Sequence, residues 1–251
     1  MVAKIIAVAN QKGGVGKTTT TVTIGHALAY KGYSVLLLDL DSQGHCSIYL
    51  GLAPLSKVYD LLTGTLPAEQ CVVSTGRPGL SLIPGDGRTA EAKLVLAGRT
   101  FREEAVRDEL APLTHSFDFI IIDTPPSLDL LYQSALIAAT YVLIPTATEF
   151  LATHGVGRII HDIELYSRRG YLTKVLGILP TFYDDRTLES RQALDEIRKA
   201  FGKIVYPLIH RATVLRETPG YAKTIWEYAP KERAAREYGL VVGRLLKDVA
   251  T

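Results

Sequence analysis

Short apolar runs alternate with longer amphipathic stretches along the chain. Runs of strand length cover Lys4 to Ala9, Ser34 to Asp39, Leu80 to Pro84, Phe117 to Asp123, Tyr141 to Pro145 and Lys174 to Pro180, with a shorter one near Ile204 to Tyr206. Val35-Leu36-Leu37-Leu38 and Phe119-Ile120-Ile121-Ile122 are apolar without alternation, as in strands buried on both faces of a parallel sheet. Between the runs lie segments of helical length. Thr18 to Lys31 repeats Val22, Gly25, Leu28 and Ala29 at helical spacing and stops at Gly32, a residue suited to a left-handed helix cap. Leu188 to Phe201 sets apolar residues at 194, 197 and 201 among charges. This rhythm predicts an α/β fold, a doubly wound, mostly parallel sheet flanked by helices, with ligands at the carboxyl ends of the strands. No repeat, low-complexity tract or linker interrupts it, so a single domain over residues 1–251 is expected.

Composition adds limits. With 251 residues, 47% of them hydrophobic, the chain can bury a sizeable core. It has no apolar stretch of transmembrane length, and its N-terminus lacks the apolar region and cleavage site of a secretory signal; a cytoplasmic protein is expected. Cys46 and Cys71 show neither CxxC spacing nor metal-type neighbours in sequence, which predicts reduced, partly buried thiols without chemistry. The net charge of +2 hides a gradient. Residues 1–151 hold 11 Lys+Arg against 14 Asp+Glu, a net −3, and residues 152–251 hold 17 against 12, a net +5. Such an excess fits a polyanionic partner and a solvated helix surface equally well.

The chemistry concentrates in Asn10 to Thr19, NQKGGVGKTT. The phosphate-loop pattern G-x-x-x-x-G-K-[ST] would place a glycine at position 11, where this chain has Gln11 followed by a second lysine, Lys12. The stretch follows a predicted strand and opens a predicted helix. Gly13, Gly14 and Gly16, around Val15, let backbone N–H groups turn onto a phosphate, and the helix beginning near Lys17 adds its positive end. Lys17 is expected at the β- and γ-phosphates and the Thr18 hydroxyl on Mg²⁺, with Thr19 closing the loop. Asp123 ends an apolar strand and is expected beside the loop, where a carboxylate holds Mg²⁺. Asp39 and Asp41 emerge from the neighbouring strand; alternation points both to one side, so spacing leaves open which of them faces the γ-phosphate.

Lys12-Gly13-Gly14-Val15-Gly16-Lys17-Thr18 resembles the deviant Walker A motif of the ParA/MinD ATPases, a branch of the SIMIBI P-loop proteins. The likeness extends over nearly the whole chain. VLLLDLDSQGHCSIYLGL resembles the switch I region, IIIDTPPSLDLL the Walker B and switch II region, LIPTATEFLATHGV the strand and helix that follow, and FYDDRT with RETPGYAKTIWEYAPKERAAREYGLVVGRL the C-terminal region of ParA proteins. The resemblance implies ATP and Mg²⁺ as ligands and a nucleotide-sandwich homodimer in which Lys12 reaches the partner's phosphates, an arginine-finger device built from lysine. It implies that Asp41 orients the attacking water, that Asp123 is the Walker B residue, with Thr18, Asp41 and Asp123 around the metal, and that Asp39 is more structural. His210 and Ala212 stand at positions that frame adenine in the family, usually Pro and Asn. The usual switch I proline is Ser42, and Val214 replaces an arginine while Arg216 appears two positions later.

The resemblance also implies nonspecific DNA binding through basic C-terminal residues. The candidates are Arg186, Arg211, Arg216 and Lys223, with Arg191 and Lys247 behind them. The implied activity is ATP-dependent partitioning of a plasmid or chromosome on the nucleoid, with hydrolysis stimulated by a ParB-like centromere-binding protein or a cargo adaptor. The alternatives are a related ATPase that positions a protein cargo and a membrane-associated MinD-like ATPase. Tyr238 to Val249 is amphipathic but carries two basic residues and no aromatic beyond Tyr238; it is expected to pack on the body, and no membrane association is expected. Asp123-Thr124-Pro125-Pro126-Ser127 has no cysteine near it in sequence, unlike the cluster-bridging iron protein of the same branch.

Overall fold

The computed structural model describes residues 2–250. Seven strands form one sheet: β1 (Lys4–Val8), β2 (Val35–Asp39), β3 (Val73–Arg77), β4 (Leu80–Ile83), β5 (Phe119–Asp123), β6 (Tyr141–Ala147) and β7 (Lys174–Thr181). Their spatial order is β3-β4-β2-β5-β1-β6-β7. Every pairing is parallel except β3 with β4. The unbroken apolar runs explain the centre: all five residues of β2 and of β5 are buried. Period-two geometry divides them between two cores, with Leu36, Leu38, Ile120 and Ile122 on one face and Val35, Leu37, Phe119 and Ile121 on the other.

The helix Lys17–Tyr30 lies across the second face. Its close approach depends on Gly25, where a Cβ would fall 2.6 Å from Leu37 Cδ2. The last helix, Arg233–Asp248, covers it in turn through Tyr238, Val241, Val242 and Leu245. The Tyr238 and Thr20 hydroxyls meet at 3.1 Å in this layer. The C-terminal amphipathic stretch therefore spends its apolar face on the body. Among the described residues no helix is long and apolar enough to cross a membrane.

Two elements differ from the sequence expectation. β3 carries Ser74, Thr75, Gly76 and Arg77, too polar to read as a strand; it survives because it is an antiparallel edge strand that pairs with β4 at the end of the strand order. The strand expected near Ile204 to Tyr206 is instead a 3₁₀ turn, Gly202–Ile204, followed by two isolated bridges, Val205 to Ile178 and His210 to Tyr183. Pro207 lies between them, and pairing resumes beyond it, the Ile209 N–H donating to Pro180 O at 2.8 Å. Tyr206 turns its ring onto Gly177 of β7, where a Cβ would lie 2.3 Å from the ring carbons.

Candidate active site

The carboxyl ends of β1, β2 and β5 converge on one cleft. β1 leads into the loop 10–16, pinned by its own side chains: Asn10 Nδ2 donates to Pro145 O at 2.7 Å, and Asn10 Oδ1 accepts the Lys12 N–H at 2.9 Å. Gly14 and Gly16 adopt φ of +73° and +89°, left-handed values that favour glycine and turn successive N–H groups inward. The cleft, about 530 Å³, is bordered by Gly13, Gly14 and Gly16 from the loop, by Lys17, Thr18 and Thr19 from the start of the helix Lys17–Tyr30, and by Asp41, Gln43 and His45 from the segment after β2.

Asp39 and Asp123 are register partners on β2 and β5, so two fully buried carboxylates stand side by side. They have different surroundings. Asp39 accepts backbone N–H groups from Asp41 at 3.1 Å and Cys46 at 3.0 Å, holding the chain in the turn that ends β2. That turn breaks the alternation expected to point residues 39 and 41 the same way: Asp39 faces inward, whereas Asp41 borders the cleft. Asp123 Oδ2 accepts the Thr18 hydroxyl at 2.6 Å, and Oδ1 the Thr21 hydroxyl at 3.3 Å. Burial pushes the Asp123 carboxyl up to about 6. Burial and the neighbouring Asp123 push Asp39 well above the usual carboxylate range.

Lys17 faces these acids. It is 7% exposed, and its Nζ donates to Lys12 O at 3.1 Å. Burial pulls its ammonium below the ordinary lysine value, against the opposing attraction of Asp123 and Asp41. The site thus presents inward N–H groups and an ammonium for phosphate oxygens, beside the hydroxyl oxygen of Thr18 and the carboxyl oxygens of Asp123. Those oxygens are donors of the kind a hard divalent cation takes, and Thr18 with Asp123 fits Mg²⁺.

Several contributors were not visible in the sequence. Cys46 is fully buried, and its thiol donates to Asp123 Oδ2 at 3.7 Å. Burial and the two carboxylates push that thiol well up. Glu149, just beyond β6, pairs with Lys12 at 2.5 Å; an acid at a strand's carboxyl end was the available signal. The Lys12 side chain is 61% exposed, so its ammonium sits at the rim, outside its own phosphate cradle. Phe182, at φ +54°, stands over the loop, its ring 3.8 Å from where a Cβ on Gly16 would be.

The remaining candidates divide. Arg211 and Arg216 line a second cleft of about 340 Å³, together with Lys12, Gly13, Gly14 and Val15. The Arg211 guanidinium lies 5.9 Å from the Phe182 ring centre. Lys223 is exposed. Arg186, by contrast, grips Asp184 through Nε at 2.9 Å and Nη2 at 2.8 Å. His210 and Ala212 border a third cleft of about 500 Å³. The His210 ring is held there by Glu237 at 2.6 Å and by Arg233 at 2.5 Å, while Ala212 adds no polar side-chain atom.

Residues 3–176 match a family described as an AAA domain. The chain is 36% identical over 244 residues to the chromosome partitioning protein ParA of Caulobacter vibrioides (strain NA1000 / CB15N), covering 94% of this chain and 91% of that one. It is 39% identical over 236 residues to the chromosome-partitioning ATPase Soj of Thermus thermophilus, with 93% and 91% covered. A crystal structure named as cobyrinic acid a,c-diamide synthase from Mycobacterium smegmatis, with bound ATP analog and magnesium, superposes with a TM-score of 0.86 at 36% identity, covering 100% of this chain and 96% of that one. With a deviant phosphate loop at the carboxyl end of β1 and partition ATPases as near full-length relatives, the chain belongs to the ParA/Soj group of the ParA/MinD P-loop ATPases.

Proposed function

We propose that this partition-type ATPase dimerises on ATP, binds DNA without sequence preference, and releases it after hydrolysis stimulated by a ParB-like partner, segregating a plasmid or chromosome. The observation that carries the reading is Lys12. Its ammonium stands at the rim of the loop, paired with Glu149, beside two arginines of the basic C-terminal part, Arg211 and Arg216. A lysine so placed suits the phosphates of a facing subunit better than its own.

Each residue then has a task. The N–H groups of the loop and Lys17 hold the β- and γ-phosphates, and Thr18 and Asp123 would hold Mg²⁺, which would neutralise charge on those oxygens. Asp41, bordering the same cleft, orients a water whose oxygen bonds to the γ-phosphorus as the bond to the bridging oxygen breaks; ADP leaves with that electron pair, and the water's proton passes to the released phosphate. Lys12 of the facing subunit stabilises the charge that develops there. His210 and Ala212 border the base, Ala212 through its backbone. Arg211, Arg216 and Lys223 meet DNA phosphates, and Arg186 contributes least because Asp184 already neutralises it.

The test is DNA binding by the parent protein and Asp41→Ala in ATP, ADP and no nucleotide. The reading expects binding in ATP, little in ADP, and an Asp41→Ala protein that stays bound in ATP. Equal binding in all three states would overturn it.

A further inference from the structure

Phosphate loop and basic segment lie far apart in sequence, yet one hydroxyl touches both. Tyr49, on the helix His45–Leu50, is 8% exposed. Its hydroxyl lies 2.8 Å from Thr19 Oγ1, on the helix that opens at the phosphate loop. The same hydroxyl donates to Leu215 O at 3.1 Å, in the short helix Thr213–Glu217 that carries Arg216. A carbonyl only accepts, so the Tyr49 proton is committed to Leu215 and the Thr19 hydroxyl must donate to Tyr49. The bonds therefore run in one direction, Thr19 to Tyr49 to Leu215, across three separate elements.

A second connection runs alongside. Arg77 Nη1 donates to Leu50 O at 2.9 Å and Nη2 to Ala222 O at 2.9 Å, while its guanidinium pairs with Glu227. It thus ties the end of the same helix to the residue before Lys223. Gly51, at φ +73°, packs so closely there that a Cβ would lie 2.7 Å from Ala222 Cβ. Ala222 itself sits at φ +52°, a left-handed value uncommon for a residue with a side chain. The helix bearing Tyr49 begins four residues after Asp41, and both Asp41 and His45 border the nucleotide cleft. A shift of that segment when the cleft fills must move Tyr49 and Gly51, and with them the backbone on which Arg216 and Lys223 are mounted.

We propose that Tyr49 is a positioning residue that couples nucleotide state to the placement of Arg216 and Lys223, so that ATP sets the affinity of this face for nucleic-acid phosphates. The inference rests on the proposed function and adds its route of control. Coupling is reciprocal: DNA must tighten ATP by the factor by which ATP tightens DNA, and both factors must shrink together when the route is cut.

The experiment measures the Kd of a fluorescent mixed-sequence duplex in ATP and in ADP for the parent and Tyr49→Phe, which keeps the ring and removes the hydroxyl. The ADP-to-ATP ratio of Kd is the readout. It is expected to fall about fivefold to tenfold in Tyr49→Phe, the worth of one buried hydrogen bond, with an equal loss in the effect of DNA on ATP affinity. Gly51→Ala is expected to lower the ratio by pressing on Ala222, and Ala222→Gly in the same chain to raise it again. A merely structural role would change melting temperature and leave the ratio alone. If Tyr49→Phe or Gly51→Ala keeps the parental ratio, the coupling is refuted while the proposed function stands. If the parent itself shows a ratio of one, the proposed function falls and the coupling with it.

Discussion

His26 supplies a pH test whose sign follows from the structure. It lies on the helix Lys17–Tyr30, 3% exposed, with Nδ1 2.7 Å from Thr224 Oγ1 and its ring stacked on Tyr30 at 4.2 Å. Burial lowers its pKa from 6.5 to about 4, and Arg77 adds to the effect, against the attraction of Glu227 at 3.9 Å. The unfolded chain therefore binds a proton between those two values that the folded chain refuses. Stability from this group is complete above pH 6.5 and is lost as pH falls toward 4; at pH 4.5 about 2–3 kcal/mol has gone. Other groups titrate in the same window, the raised Asp123 with the opposite sign, so the comparison must be with His26→Gln. Urea unfolding of both nucleotide-free proteins at pH 7.5 and 4.5 supplies it. The variant is expected to start lower at pH 7.5 and to lose about 2–3 kcal/mol less on acidification, about 1 M urea in midpoint. Equal losses in the two proteins would show that His26 is not the titrating group.

Gly177→Ala should destabilise by about 2–3 kcal/mol, because the new methyl meets the Tyr206 ring at a place where a Cβ would lie 2.3 Å from it; an unchanged urea midpoint would contradict that packing. Arg216→Ala should reduce the salt slope of DNA binding by about 1, whereas Arg186→Ala should leave it near the parental value, since Asp184 already pairs Arg186. The reverse ranking would reassign the DNA face.

The parts of this molecule legible in the sequence are those whose signal is local. The runs of β2 and β5 announce a buried parallel sheet, and Gly13, Gly14 and Gly16 mark a loop whose backbone must approach a ligand. Asp123 could be placed because it ends a strand. What escaped depends on partners distant in sequence. Glu149 meets Lys12 from 137 positions away, and Cys46 reaches Asp123 only because β2 and β5 are neighbours. Thr19, Tyr49 and Leu215 have no mutual spacing to detect. β3 escapes because an edge strand need not be apolar, and the strand expected near Ile204 to Tyr206 is replaced by a turn and two isolated bridges, which an apolar run cannot distinguish from a continuous ladder. The choice between Asp39 and Asp41 needed the turn that folds backbone N–H groups onto Asp39.

The central claim, that Lys12 completes the site of a facing subunit, is tested most directly by mixing two inactive proteins. Lys12→Ala keeps Asp41 and lacks the lysine it would lend; Asp41→Ala keeps the lysine and lacks the residue that orients water. Each alone is expected to hydrolyse ATP at background rate. In a mixed dimer one site holds Asp41 and receives Lys12 from its partner, so an equimolar mixture with ATP, Mg²⁺ and DNA should recover about a quarter of the parental rate, half the dimers being mixed and each having one working site. A mixture that stays at background although mixed dimers form, or a Lys12→Ala protein that is active alone, would contradict the account.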